Sequence, residues 1–228
     1  MRLLPARGQL DDYTKGALRQ KSSQVSASST PKVYARREYD SSRGANWFAP
    51  VVKLLRIQSG TGGCCMWCSS GESSHVDHYR PLAKFPELAF VFENFLWSCA
   101  ICNTRKGNRF DNTLPPINPI DENPWDFFFV DDLGLLVVRA DIDERSQRRA
   151  RETIKMVGLD RDELDARRRS ALKKLRLELS AFLATSGTPD AKQWVRERLD
   201  EEVHQPDVVQ YFLSGPGRAE TPFSSLAA

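Results

Sequence analysis

The chain has 228 residues, 40% hydrophobic and 28% charged, with a formal net charge of +3. That is the composition of a soluble globular protein able to bury one ordinary core with a smaller module attached. No apolar run approaches the roughly 20 residues of a membrane helix, and MRLLPARGQLDD turns polar too early for a secretory leader, so a cytoplasmic protein without membrane contact is expected.

Residues 1–63 carry 11 Lys/Arg against 4 Asp/Glu, whereas residues 111–228 carry 17 against 22. A basic leader attracts a polyanion, or is simply a solvated tail. Within it QKSSQVSASSTP (20–31) is too serine-rich to promise a packed element, so residues 1–31 are expected to form a basic mobile arm. Residues 32–62 read as a helical lead-in. NWFAPVVKLLRIQ has Phe48, Val51, Val52 and Leu55 at helical spacing, and a Ser-Gly-Thr-Gly-Gly run stops it.

All five cysteines (Cys64, Cys65, Cys68, Cys99, Cys102) fall in one short region. An odd count grouped as two Cys-x-x-Cys pairs points to a thiolate metal site rather than a disulfide scaffold. Cys65, Cys68, Cys99 and Cys102 give C-x2-C, 30 residues, C-x2-C, which suits a tetrahedral zinc with one pair on each edge. Cys64 offers a competing C-x3-C spacing with Cys68; Cys65 is the preferred ligand. A site closed by four cysteines is structural, and it clamps the loop from Ser69 to Ser98.

That loop holds an Asp77-His78 pair before Pro81, a return segment from Leu88 to Trp97 with Asn94 near a bend, and then Ser98, a candidate N-cap for a helix ending at Gly107. On this helix Cys102 and Asn103 point about 100° apart, so one can face a zinc while the other faces Asp77. Neighbours in a regular strand face opposite sides, so Asp77 and His78 can share a site only at a strand end or bulge. Phe90, Phe92, Phe95 and Trp97 are expected in a small core, and His75 has no assigned role.

Beyond residue 113, FFFVDDLGLLVV reads as a hairpin, a helix spans 144–157 and stops at Gly158, and Asp160 with Glu163 forms a capping-box-like start to the next. On that next helix Arg167, Arg168, Arg169, Lys173, Lys174 and Arg176 occupy the polar positions, as a solvated face or a contact surface. A last helical stretch is expected around Lys192 to Val203.

The order DH, N, C-x-x-C-N-x-x-K over residues 64–110 resembles the HNH nucleases, whose shared unit is the ββα-metal or His-Me finger fold. The resemblance implies an α+β chain: a ββα-metal module with a four-cysteine zinc site over residues 63–112, embedded in a mostly α-helical protein. It implies His78 as general base, Asp77 and Asn103 as ligands of one catalytic divalent ion, and Asn94 as a brace for the loop that orients the base. Hard oxygen donors favour Mg²⁺ or Mn²⁺ there. Lys106, Arg109 and Arg105 are expected to hold the substrate backbone. A wider likeness, through NPIDENPWDFFF and TIKMVGLDRDELDARR, is to HNH proteins of anti-phage systems such as Septu and retron-associated ones, which act with an ATPase; residues 113–228 would then dock the partner. The expected activity is metal-dependent DNA cleavage. Two alternatives stay open: a non-catalytic zinc module binding nucleic acid or protein, and an RNA nuclease using the same site.

Overall fold

The computed structural model of the chain describes residues 1–71, 73–184, 193–195, 197–198, 206–213, 215–219 and 223. Apolar residues recur at helical spacing even where serine dominates the N-terminal segment, and two helices result. Helix α1 (Asp12–Ala27) starts on Asp11, whose carboxylate accepts from the Thr14 backbone N–H at 2.7 Å, and buries Thr14, Leu18 and Val25 on one stripe. Helix α2 (Pro31–Ser42) opens with proline in its first turn and buries Ala35, Tyr39 and Ser42. The two pack together with Lys21 and Glu38 paired at 2.7 Å. The expected mobile arm over 1–31 is therefore largely a packed helix. A narrow stripe of buried residues is enough, because tertiary burial outweighs weak intrinsic propensity.

Helix α3 (Ala49–Gln58), entered through a 3₁₀ turn at Asn46–Phe48, buries Val51 and Leu55 and leads into the cysteine segment. Strands β1 (His75–His78) and β2 (Phe95–Ser98) pair antiparallel with Asp77 opposite Leu96 and His78 opposite Phe95. The return segment is only partly strand, since 3₁₀ turns at Pro86–Leu88 and Phe92–Asn94 precede β2. Helix α4 (Ala100–Lys106) follows directly, capped by the Cys99 sulfur, which accepts from the Cys102 N–H at 3.4 Å, rather than by Ser98 as expected. Phe90, Phe95 and Trp97 are buried and Phe92 packs at their edge.

Strands β3 (Phe128–Val130) and β4 (Leu136–Val138) form the expected hairpin, with the Asp131 carboxylate accepting from the Leu133 and Leu135 N–H groups. Helix α5 (Glu144–Val157) ends at Gly158, whose φ of 65° is the left-handed conformation glycine adopts without strain. Helix α6 (Asp162–Leu183) starts one turn-position later than the Asp160 capping box predicts, with Arg161 at the cap and no side-chain bond there. Arg168 is not on the polar face: it is fully buried, donating to Asp207 at 3.1 Å on helix α7 (Pro206–Leu213) and to the Leu159 carbonyl at 2.6 Å. Most of the helix expected around Lys192 to Val203 lies outside the described residues. Mixed α and β structure around a small antiparallel module is thus the architecture. Among the described residues no helix is long and apolar enough to cross a membrane.

Candidate active site

Two polar constellations lie side by side on the β1–β2–α4 unit. The first is the thiolate cluster. The Cys65–Cys68 turn closes with the Ser69 N–H on the Cys65 carbonyl at 2.8 Å and the Cys65 N–H on the Ser70 carbonyl at 2.7 Å, while Ser69 takes a φ of 61°. The Met66 N–H bonds to the Trp97 carbonyl at 2.9 Å, stitching the turn to β2. Cys99 and Cys102 come from the first turn of α4. The four sulfurs lie within 4.8 Å of one another, and Cys68 Sγ is 3.8 Å from Cys99 Sγ. A tetrahedron with zinc–sulfur bonds of about 2.3 Å has edges of about 3.8 Å, so the donor set fits a zinc ion. Cys64 is not one of the four; burial pushes its thiol up, as for an inert interior cysteine. Arg161 reaches Cys102 Sγ at 3.9 Å and places a positive charge beside the cluster.

The second constellation lines a cleft of about 270 Å³. Because β1 ends at His78, Asp77 and His78 both open onto this cleft despite their opposite strand parity, and Asn103 joins them from α4. His78 Nε2 sits 2.9 Å from the Ala89 carbonyl oxygen. A carbonyl can only accept, so Nε2 carries the proton and Nδ1 keeps the lone pair. The ring is packed at its edges by Tyr39 at 4.5 Å and Phe95 at 5.2 Å between centroids. Burial disfavours the imidazolium and lowers the His78 pKa to about 4, so the ring is neutral near pH 7.

Asn94 fastens both ends of the loop carrying Ala89. Its Oδ1 accepts from the Arg80 N–H at 2.8 Å, and its Nδ2 donates to the carbonyls of Arg80 at 3.1 Å and Leu88 at 3.2 Å. Asp77 is oriented by the Trp67 indole N–H on Oδ2 at 3.1 Å and by the Lys106 ammonium on Oδ1 at 2.9 Å. The Asn103 carboxamide has no hydrogen-bond partner among the described residues. A carboxylate whose oxygens each retain a lone-pair site, next to an unbonded amide oxygen, is a donor set that suits a hard divalent cation.

Of the three expected substrate contacts, Lys106 needs correction. Lys106 is 1% exposed, held between Asp77 and the His78 carbonyl, which it reaches at 2.5 Å, and so it is not a surface residue awaiting a backbone. Arg109 donates to the Met156 carbonyl at 2.8 Å and to the Arg105 carbonyl, and the Arg105 side chain lies against Gly158, so both lean on the end of α5. Both side chains are nevertheless exposed, Arg105 from the last turn of α4 and Arg109 just past it. Sequence reasoning also missed Trp67, treated as a spacer between two cysteines, and Tyr39, Lys32 and Arg36 of α2, which belong to the cleft's surroundings. Only the helical stripe of α2 could have hinted at the last three.

A β-strand pair and a short helix bring a buried histidine, an aspartate and an asparagine to one cleft beside four thiolates, and residues 65–109, which carry them, match the family model described as HNH endonuclease. In a particular protein, the likeness is to the Septu protein PtuB of Bacillus thuringiensis, 29% identical over 82 residues that make up 34% of this chain and 32% of that protein. The chain thus spans about a third of the length of the curated relative it matches.

Proposed function

We propose that this chain is a metal-dependent endonuclease that hydrolyses DNA phosphodiester bonds at the cleft of Asp77, His78 and Asn103. The observation that carries the reading is that His78, its Nε2 held by the Ala89 carbonyl, lines the same cleft as Asp77 and Asn103. Nδ1 takes the proton from the attacking water. Asp77 and Asn103 hold Mg²⁺ or Mn²⁺, which when bound offsets the negative charge growing on the phosphate. Trp67 keeps Asp77 aimed at the cleft, and Asn94 keeps the Ala89 carbonyl under the imidazole. Lys106 offsets the charge of the buried Asp77 carboxylate, and a divalent ion held there would share that role. The four cysteines hold structural zinc.

The match to a Septu protein supports a part in anti-phage defence, with residues 113–228 as the surface that docks an ATPase partner. The test is incubation of the full chain with supercoiled plasmid, and separately with RNA, in Mg²⁺ or Mn²⁺, beside His78→Ala. Wild type should convert plasmid to nicked or linear forms, and the variant should not, with unchanged zinc content. Equal cutting by both proteins, or cutting of RNA alone, would refute the DNA-cleaving assignment.

A further inference from the structure

We infer that helix α2 is the substrate-backbone clamp of this nuclease, with Lys32 and Arg36 binding consecutive phosphates of the strand that enters the cleft; the inference rests on the nuclease reading above. Lys32, Arg36 and Tyr39 stand at i, i+4 and i+7 and therefore form one stripe of α2. Tyr39 fixes this stripe against the site: its hydroxyl donates to the Val76 carbonyl of β1 at 2.9 Å, and its ring packs on the His78 imidazole. One and two turns back toward the start of the helix, Arg36 and Lys32 line the same cleft as Asp77, His78 and Asn103.

Both cations are exposed, and Lys32 has no hydrogen-bond or ion-pair partner among the described residues. Arg36 meets Asp40 at 2.7 Å, an i, i+4 pair with side chains 66% and 38% exposed. Such a surface pair contributes little and yields readily to a phosphate. Across the cleft Lys106 is committed to Asp77 and the His78 carbonyl, and Arg105 and Arg109 lean on α5. The two residues of α2 are thus the cleft's available cations. Spaced about 6 Å apart along the helix axis, they reach neighbouring phosphates of one strand. They touch no base edge through such contacts, so the clamp adds affinity without sequence preference.

The test measures binding of a fluorescein-labelled DNA duplex by the full chain in a His78→Ala background with Mg²⁺, as salt rises from about 50 to 200 mM. Removing two phosphate contacts by Lys32→Ala with Arg36→Ala should reduce the slope of log affinity against log salt by about 1.8. Over that fourfold salt range the parent then loses about twelvefold more affinity than the double variant. The charge-conserving pair Lys32→Arg with Arg36→Lys should keep the parent's slope, which separates lost charge from lost helix structure. In the cleavage-competent chain the double alanine variant should raise KM and leave kcat near wild type. An unchanged slope, or a parent that does not bind duplex, would overturn the clamp. Wild-type protein that fails to cut plasmid overturns the nuclease reading instead, so the two failures are distinguishable.

Discussion

Replacing Asn94 by alanine removes a brace rather than a reacting group, and its cost can be worked from three hydrogen bonds. The carboxamide is 5% exposed and makes bonds of 2.8, 3.1 and 3.2 Å to the Arg80 N–H, the Arg80 carbonyl and the Leu88 carbonyl. Each contributes about 1 kcal/mol net, and all three bonds are only part-buried, so Asn94→Ala should cost about 3 kcal/mol. Asn94→Asp should cost at least as much. It keeps the acceptor for Arg80 but turns a carboxylate oxygen toward two carbonyls and buries a charge. The loop it fastens also presents the Ala89 carbonyl to His78 Nε2, so kcat should fall roughly 10- to 100-fold, as for other outer partners of a positioned imidazole. Urea unfolding at fixed zinc concentration gives the stability change, and plasmid cleavage gives the rate. Asn94→Ala within about 0.5 kcal/mol of wild type, with kcat unchanged, would refute the brace.

His78 makes stability depend on pH. Its pKa drops from 6.5 when unfolded to about 4 in the fold, so between those values the unfolded chain binds the extra proton and stability falls as pH falls. The loss should total about 3 kcal/mol from pH 6.5 to 4, seen as a difference in urea unfolding between wild type and His78→Gln, since zinc release at low pH is common to both. Lys106→Met leaves the Asp77 carboxylate buried without its partner, costing about 3–5 kcal/mol without divalent ion. Adding Mg²⁺ should narrow that gap in thermal melts, because the ion would offset the charge left on Asp77; an equal gap with and without Mg²⁺ would refute a divalent ion at Asp77. Asp207→Asn strips Arg168 of its buried carboxylate and should cost a similar 3–5 kcal/mol by denaturant titration, far more than substitution of the exposed Arg169.

The metal module was the most legible part of the chain, because its chemistry is concentrated in residue types that have few other uses together. Two Cys-x-x-Cys pairs separated by 30 residues announce a cage, and the structure gathers Cys65, Cys68, Cys99 and Cys102 while leaving Cys64 aside. Helix α5 was legible over 144–157, since Gly158 stops it; its Asp143 cap emerged only in the structure. The N-terminal helices were not. Three buried positions in α1 are spread over 12 residues from Thr14 to Val25, a signal too sparse to outweigh the serines in a local reading. Burial of charge was equally hidden. Lys106 and Arg168 sit among exposed basic neighbours in the sequence, and only the tertiary partners Asp77 and Asp207 draw them inside. For the same reason α2 gave no sign that its Lys32 and Arg36 belong beside a histidine more than forty residues away.

In the proposed function Asp77 and Asn103 grip a second ion, distinct from the zinc, at the elbow of His78. Electron paramagnetic resonance titration of the zinc-loaded protein with Mn²⁺ reads it directly. One tightly bound Mn²⁺ should appear per chain, be lost in Asp77→Ala and weakened in Asn103→Ala with all zinc retained, and persist in His78→Ala. Mn²⁺ binding untouched by Asp77→Ala, or lost together with the zinc in every variant, would contradict it.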